Sequence, residues 1–425
     1  MDAGCYGATD ICTTHMDSLS QRGIRFTQSY AHTVCCPSRA ALLTGRYPQR
    51  CNVNDWTSNH RFDNNGLNMN PDEITIAELL EDNGYRTALF GKWHLGAKLE
   101  HGPNAFGFDE FYGHRCGFID NYRHMFLHSH PGKPPFHDLW DDEREVFMDG
   151  HYFADLVTAK AITFLEQNRE NPFFLYVPFN LPHYPYQPDA DYAEKYRHLP
   201  EPRRLYAAMV STVDRRIGRI MEKVDELSLR ESTLIFYMSD NGHSTEDAWN
   251  WDFRYGAHGG GGYTGRWRGA KGSFLEGGIR VPAIISMPGT IPEGEVRDQV
   301  VTNMDLFPTI CEMCDLVPPD RELDGHSLWP VISDKSAETL YDRLYFQWQQ
   351  RWMVREGNWK LIVNGLDTTG KYSEHEEGNV VMETPFLAHL ADDEPELINH
   401  AAQKPDIVER LEGLYSSWHS QVMKE

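Results

Sequence analysis

The stretch Cys35-Cys-Pro-Ser-Arg-Ala-Ala-Leu-Leu-Thr-Gly-Arg46 joins a polar, proline-containing start to an apolar run. Pro37 and Ser38 are residue types that are common at helix N-termini, and Ala40–Leu43 favours helix. The stretch therefore predicts a helix that begins near Cys35, with Arg39 one turn further along. Because a helix N-terminus favours a nearby anion, Cys35 and Arg39 are candidate members of an anion-binding site.

After this stretch, short apolar strands alternate with amphipathic helices. The predicted helices are Ile74–Asn83, Ala154–Gln167 and Arg204–Leu227. The predicted strands that follow them are Thr87–Phe90, Phe173–Pro178 and Ser232–Met238. This alternation predicts an α/β fold whose functional loops lie at the carboxyl ends of the strands.

The pattern changes after about residue 335, where we place a domain boundary. Strand-like pieces then follow one another, and the closing helix is Pro405–Val422. The strand-like pieces are Leu344–Trp348, Trp352–Arg355 and Trp359–Val363. We therefore predict a large α/β domain over residues 1–335 and a small α+β subdomain over residues 336–425.

Charge and hydropathy exclude several classes of function. The 425 residues carry 63 acidic and 40 basic side chains, a net charge of −23, which argues against a general nucleic-acid or anionic-membrane binder. The longest apolar runs, such as Phe173–Phe179, are far shorter than the roughly 18 residues of a membrane span. The first residues have neither the basic nor the apolar region of a signal peptide, so we expect none in this sequence.

The eight cysteines are too sparse for a disulfide scaffold. Cys311 and Cys314 form a CxxC pair, but no second CxxC or histidine pair completes a set of four zinc ligands. We therefore predict that these two are small buried thiols.

Residues 35–46 match C-x-P-S-R-x-x-x-L-T-G-R at every fixed position, and the chain thereby resembles the type I sulfatases. The resemblance implies an alkaline-phosphatase-like sandwich, with a large mixed central sheet flanked by helices, and a short antiparallel sheet in the C-terminal subdomain. It also implies that a formylglycine-generating enzyme, a transient partner, oxidises Cys35 to formylglycine. The hydrated aldehyde carries two hydroxyls, one to attack sulfur and one to expel the sulfate afterwards.

Further blocks carry the resemblance along most of the chain. Gly91-Lys-Trp-His-Leu-Gly96 matches the second sulfatase signature and implies that Lys92 and His94 bind sulfate and exchange protons. The family places a histidine near the leaving oxygen, here His183. Lys271 matches the lysine that bridges the sulfate and the leaving group.

A metal site is implied by the segment Met238-Ser-Asp-Asn-Gly, which follows a predicted strand. The resemblance makes Asp240, Asn241 and the modified Cys35 ligands of Ca²⁺ or Mg²⁺, which prefer oxygen donors. In members of the family, the N-terminal part normally contains a buried strand that ends in two further aspartate ligands. That strand precedes the segment that corresponds to Gly4-Cys-Tyr-Gly7 in this sequence. That strand is missing from the sequence, and the remaining ligands fall short of the roughly 6–8 that Ca²⁺ takes. We therefore expect a further N-terminal stretch in the native protein, and a metal-poor, weakened or inactive protein without it.

The function expected from the resemblance is that of a bacterial carbohydrate or polysaccharide sulfatase. Two alternatives stay open: a phosphonate or phosphodiester hydrolase on the same scaffold, and a metal-poor, non-catalytic sugar-binding relative. Arginine can pair with sulfate or carboxylate through two hydrogen bonds, and Trp267 can stack on a sugar ring. The candidate substrate-binding residues are His124, His258, Arg266 and Arg268. Relatives of this family are often periplasmic or secreted.

Overall fold

The structure is a computed structural model that describes residues 2–57, 67–126, 135–245, 259–369 and 380–424. The helices in these ranges are α1 Thr14–Gln21, α2 Cys35–Thr44, α3 Ile76–Asp82, α4 Phe153–Asn168, α5 Ala190–Lys195, α6 Arg203–Glu226, α7 Glu276–Ile279, α8 Leu306–Met313, α9 Trp329–Ser333 and α10 Pro405–Val422. The strands are β1 Ile24–Tyr30, β2 Arg86–Lys92, β3 Glu110–His114, β4 Met125–Phe126, β5 Phe136–His137, β6 Trp140–Asp141, β7 Arg144–Glu145, β8 Phe173–Tyr176, β9 Ile235–Met238, β10 Ala283–Ser286, β11 Glu295–Thr302, β12 Arg343–Trp348, β13 Arg351–Glu356, β14 Trp359–Val363, β15 Leu366–Asp367, β16 Val380–Val381 and β17 Phe386–His389.

Two mixed sheets form the larger part of the molecule. One has the strand order β11-β1-β10-β9, with β1 parallel to β11 and antiparallel to β10. The other has the order β7-β6-β3-β2-β8, with β2 parallel to both β3 and β8. The helices predicted between the strands are present, so the mixed α/β architecture predicted from the sequence is confirmed.

Helices cover both faces of these sheets. Along β8, Phe174 and Tyr176 pack toward a cluster that includes residues of α3 and α8, whereas Phe173 and Leu175 pack toward α4. The side chains of β9 alternate in the same way, with Phe236 toward the cluster of α3 and α8. This period of two residues is the pattern of a strand that is covered on both faces.

The strands β8 and β9 are each the last strand of their sheet. Within the described ranges, β8 pairs only with β2 and β9 only with β10. A cavity of about 1380 Å³ is lined by every residue of both strands. The side chains of β8 and β9 are consequently only half-buried, whereas those of β10 are fully buried.

The C-terminal part contains the predicted small antiparallel sheet, with the order β12-β13-β14-β17. Helix α10 covers it, with the fully buried Leu411 against a cluster that includes Val354 and Leu361. The boundary between residues 335 and 336 stays a prediction. None of the helices within the described residues is long and apolar enough to cross a membrane.

The helix predicted to begin near Cys35 begins at that residue, after the extended Val34. It ends at Thr44, and Gly45, which has φ 67°, caps it. A side chain at Gly45 would place its Cβ 2.9 Å from the Cβ of Phe307, so both the left-handed backbone and the close approach of α8 require glycine here.

Candidate active site

Cys35 is the first residue of α2 and lies on the wall of the large cavity, with 3% of its surface exposed. The first turn of α2 carries no acidic side chain. The positive end of the helix dipole is therefore available to an anion beside Cys35. The other predicted residues on the same wall are Arg39, Lys92, His183, Asp240, Asn241 and Lys271.

Arg39 joins three separate segments at this wall. Its Nη1 donates to the carbonyl of Lys92 at 3.0 Å, and its Nη2 donates to Oδ2 of Asp240 at 2.9 Å. Burial raises the pKa of the Asp240 carboxyl, but the charges of Arg39 and Lys92 outweigh it and hold that pKa below its usual value. Asp240 is therefore ionised at neutral pH.

Lys92 is the last residue of β2 and is buried, and burial lowers the pKa of its ammonium. His94, two residues later, has φ 60° and is also buried. Burial, followed by the charges of Lys92 and Arg39, holds the pKa of His94 well below its usual value. The imidazole of His94 is therefore neutral at pH 7, and neither of its ring nitrogens has a partner among the described residues.

His183 and Lys271 meet across the cavity wall, with Lys271 Nζ 3.2 Å from His183 Nε2. His183 Nδ1 lies 2.8 Å from the carbonyl oxygen of Tyr184. Because a carbonyl only accepts, Nδ1 carries the proton and Nε2 presents a lone pair to the lysine. The ring of Phe118 stacks on His183 at 5.2 Å and 16° between the planes. These contacts fix the tautomer and the plane of His183.

Asp240 and Asn241 follow β9 directly and supply hard oxygen atoms. Asn241 Nδ2 donates to the carbonyl of Gly242, which leaves a buried Oδ1 with no partner among the described residues. Within the described ranges, however, no group of three or more His, Cys, Asp or Glu side chains is placed to hold a metal ion. The residues present therefore do not by themselves fit Ca²⁺ or Mg²⁺.

Of the predicted substrate-binding residues, the three that the structure describes are not on the cavity wall. His124 is fully buried, with Nε2 3.1 Å from the carbonyl oxygen of His151. Arg266 is exposed and pairs with Glu394 at 2.8 Å, and Arg268 pairs with Asp367 at 2.6 Å. Trp267, which lies between these two arginines in the sequence, does line the cavity. His258 lies outside the described residues.

The CxxC pair lies apart from this chemistry. Cys311 is buried, as predicted, whereas Cys314 is only half-buried. Both belong to the apolar cluster around α8, or pack against it. In the part of the chain that the structure describes, they have no metal-binding neighbours.

Two residues of the site were not identified from the sequence. Asn303 lies on the cavity wall directly after β11, and its Nδ2 donates to the carbonyl of Ser38 at 2.7 Å. Its position at the carboxyl end of a strand is the feature of the sequence that could have identified it as a site residue. Phe118 gave no such signal, because its contact with His183 joins residues that are far apart in the sequence.

Known proteins are similar to this chain in sequence and fold. Residues 1–316 match the family model described as Sulfatase. Human steryl-sulfatase is 30% identical over 416 residues, which are 81% of this chain and 69% of that protein. Human arylsulfatase A is 29% identical over 445 residues, which are 97% of this chain and 84% of that protein. The crystal structure of Ps i-CgsB in complex with k-i-k-neocarrahexaose is 27% identical with a TM-score of 0.80, and covers 98% of this chain and 89% of its own. The chain therefore belongs to the sulfatase family of sulfuric ester hydrolases.

Proposed function

We propose that this sulfatase removes sulfate from a carbohydrate, with formylglycine made from Cys35 as the nucleophile. The observation that carries the proposal is that Cys35 shares one cavity wall with Arg39, Lys92, His183 and Lys271. These are residue types that bind an anion and move a proton. When present, the hydrated formylglycine supplies one hydroxyl that attacks sulfur and a second that allows the sulfate to leave.

The cations around Cys35 hold the sulfate group. Lys92 and the N-terminus of α2 compensate the negative charge of the sulfate oxygens. Arg39 is held by Asp240 and by the carbonyl of Lys92, so its guanidinium is fixed before substrate binds. Preorganisation of this kind requires no rearrangement during the reaction.

The pair His183 and Lys271 serves the leaving alcohol. His183 Nε2 accepts from the Lys271 ammonium, so a proton is available at the point where the ester oxygen departs. Asp240 is ionised and can accept a hydrogen bond from the attacking hydroxyl. His94, the candidate base for release of the sulfate, is neutral and can accept a hydrogen bond, but burial and the charges of Lys92 and Arg39 make it a weak base.

The charge of the site and one related structure support a sulfated carbohydrate as substrate. The overall charge of −23 repels a polyanion, and Arg39, Lys92 and Lys271 supply local positive charge against it. Trp267 is one of several aromatic side chains on the wall; it is 8% exposed, and the guanidinium of Arg280 lies 4.3 Å from its ring centroid. The related Ps i-CgsB was solved with k-i-k-neocarrahexaose, which by its name is an oligosaccharide.

The test is a comparison of sulfated sugars with matched phosphate and phosphonate esters. Conversion of Cys35 is first verified by intact mass, and Cys35→Ala is the control for background hydrolysis. We expect sulfate release from at least one sulfated sugar at a rate that Cys35→Ala abolishes. Faster hydrolysis of the phosphorus esters would favour the phosphonate or phosphodiester hydrolase. Sugar binding without hydrolysis by converted protein would favour the non-catalytic relative. That alternative agrees with the absence, among the described residues, of a group of three or more metal-binding side chains.

A further inference from the structure

The loop that carries Lys271 is held by a residue far along the chain. The hydroxyl of Thr368 accepts a hydrogen bond from the N–H of Ala270 at 2.9 Å and donates one to the carbonyl of the same residue at 2.9 Å. Thr368 is buried, with 1% of its surface exposed. Because buried backbone groups need partners, this one side chain satisfies both polar backbone groups of the residue directly before Lys271.

Two further hydrogen bonds from the same segment lie on either side of Lys271. Thr369 Oγ1 accepts from the N–H of Gly269 at 3.0 Å. Ser273, which is fully buried, donates through Oγ to the carbonyl of Leu366 at 2.6 Å. The chain from Leu366 to Thr369 therefore contacts the loop both before and after Lys271.

The rest of the loop backbone is anchored on segments that precede it in the sequence. The N–H of Lys271 donates to the carbonyl of His243 at 3.0 Å, and the N–H of Gly272 donates to the carbonyl of Thr33 at 2.8 Å. The loop that is held in this way places Lys271 Nζ 3.2 Å from His183 Nε2. The contacts from the preceding and the following segments together set this distance.

A buried cluster of charges also joins the Lys271 loop to the C-terminal sheet. Glu276, shortly after Lys271, donates its N–H to Glu396 Oε2 at 2.6 Å. Lys360, which belongs to β14, lies 2.9 Å from a carboxylate oxygen of each glutamate. The C-terminal part of the molecule therefore supports the loop at two places, through this cluster and through the hydroxyl of Thr368.

We propose that Thr368 is a positioning residue that holds the Lys271 ammonium against His183 Nε2. The proposal rests on the proposed function, in which this pair serves the leaving alcohol. Thr368 lies outside residues 1–316, which match the sulfatase family model, so membership of the family assigns it no role.

Thr368→Val keeps the shape of the side chain but removes its hydroxyl. The buried N–H and carbonyl of Ala270 would lose their partner, and a methyl group cannot approach either of them to 2.9 Å. The loop and Lys271 would consequently move. A displacement of about 1 Å can slow a reaction about 100-fold.

The first test measures kcat for Thr368→Val, Thr368→Ala and Thr368→Ser, in protein with verified conversion of Cys35. The substrates are 4-nitrophenyl sulfate and the sulfated sugar that the original protein hydrolyses fastest. We expect the valine and alanine variants to lose at least about tenfold on the sugar. They should lose less than about threefold on 4-nitrophenyl sulfate, because its phenol departs without a proton. Thr368→Ser keeps the hydroxyl and should restore kcat on the sugar.

The matched control is Thr87→Val, at a second fully buried threonine. Thr87 Oγ1 donates to the carbonyl of Gly107 at 2.7 Å and accepts from the N–H of Asp109 at 2.8 Å, away from the cavity wall. Urea unfolding should show a loss of stability similar to that of Thr368→Val, with both kcat values nearly unchanged. An equal loss on the two substrates in Thr368→Val would mean that Thr368 supports the fold alone, and would overturn the proposal.

A second readout requires neither turnover nor conversion of Cys35. In protein with ¹⁵N-labelled histidine, NMR reports the Nε2 resonance of His183, which is assigned by its absence in His183→Gln. We expect a downfield shift in Thr368→Val and Thr368→Ala, because Nε2 loses a hydrogen-bond donor, and none in Thr368→Ser or Thr87→Val. If neither folded variant that lacks the hydroxyl shifts the resonance, or if Thr368→Ser shifts it equally, the proposal is wrong. If the resonance shifts as expected but no sulfated sugar is hydrolysed, Thr368 positions Lys271 and the proposed function fails.

Discussion

Arg39 Nη2 donates to Oδ2 of Asp240 at 2.9 Å, although the two residues lie 201 positions apart in the sequence. The same guanidinium donates through Nη1 to the carbonyl of Lys92. One side chain thereby joins the helix that begins with Cys35 to the carboxyl ends of β2 and β9. Its removal should therefore affect both the stability of the fold and the chemistry of the site.

Arg39→Met should lower the free energy of unfolding by about 1–3 kcal/mol, because it removes the charge-assisted hydrogen bond to the partly exposed Asp240 carboxylate. It should also lower kcat/KM at least about 100-fold, because a fixed positive group beside the nucleophile is lost. Urea unfolding and sulfate release measure the two effects, with activity normalised to the converted fraction of Cys35.

The matched control is Arg216→Met, which removes another buried arginine that pairs with an aspartate, Asp189. This pair is not part of the cavity wall around Cys35. We expect a similar loss of stability with kcat/KM within a few-fold of the original. Equal losses of activity in the two variants would mean that Arg39 acts through stability alone.

His183→Gln should separate substrates by their leaving groups. A phenol with a low pKa departs without a proton, whereas a sugar hydroxyl needs one, and general acid catalysis contributes about 10²–10⁴-fold. We therefore expect kcat to fall about 100-fold or more on a sulfated sugar and less than tenfold on 4-nitrophenyl sulfate. An equal loss on both substrates would argue against proton donation by the pair His183 and Lys271.

Phe118→Leu should produce a weaker form of the same effect. Phe118 stacks on His183, and an aromatic pair contributes about 0.5–1.5 kcal/mol beyond the burial of its area. We expect kcat on a sulfated sugar to fall about 2–10-fold, with kcat on 4-nitrophenyl sulfate nearly unchanged. Phe118→Tyr should restore the rate because it keeps the ring.

A neighbouring ring provides the control for this experiment. Phe126 contacts Phe118 at 5.3 Å between ring centroids and belongs to the same cluster. Phe126→Leu should cost similar packing energy without changing the dependence of kcat on the leaving group. If both leucine variants alter that dependence alike, the effect comes from the packing of the cluster and not from the stack on His183.

The local pattern of the sequence predicts much of this molecule. The helix after Val34, the strand before Asp240 and the closing helix Pro405–Val422 follow from residue type and periodicity over short windows. The contacts that assemble the site do not, because Arg39 with Asp240 and Phe118 with His183 depend on how distant segments meet. His124 is predicted from the sequence to bind substrate, but its ring is fully buried and packs near other rings, including Phe153.

The pH dependence of stability should reflect a buried lysine that lies between two carboxyl groups. Lys360 Nζ is 2.9 Å from Oε1 of Glu276 and 2.9 Å from Oε1 of Glu396, and all three residues are fully buried. Burial raises the pKa of Glu396 to about 7, because Lys360 compensates this only in part and Glu276 adds repulsion. For Glu276, Lys360 and Arg280 outweigh burial and lower the pKa to about 2.

The sign of the effect follows from Glu396. Its pKa in the folded protein lies above the value of about 4.3 in an unfolded chain. Its contribution to stability is therefore fully present below pH about 4.3 and is lost as pH rises through about 7. Glu276 has the opposite sign, but its contribution is lost only as pH falls toward about 2, outside this range. Glu396→Gln should remove this part of the slope between about pH 5 and pH 8.

Urea unfolding at several pH values, followed by tryptophan fluorescence, measures this slope. We expect the original protein to lose about 1–3 kcal/mol more than Glu396→Gln across the range, because one pKa unit corresponds to about 1.4 kcal/mol. Glutamine at position 396 changes the contact with Lys360, so the variant is less stable than the original protein. The prediction therefore concerns the slope of stability against pH and not the absolute stability. Glu394→Gln, at a more exposed glutamate on the same segment, should keep the original slope. If the free energy of unfolding depends on pH equally in Glu396→Gln and in the original protein, Glu396 is already ionised across this range.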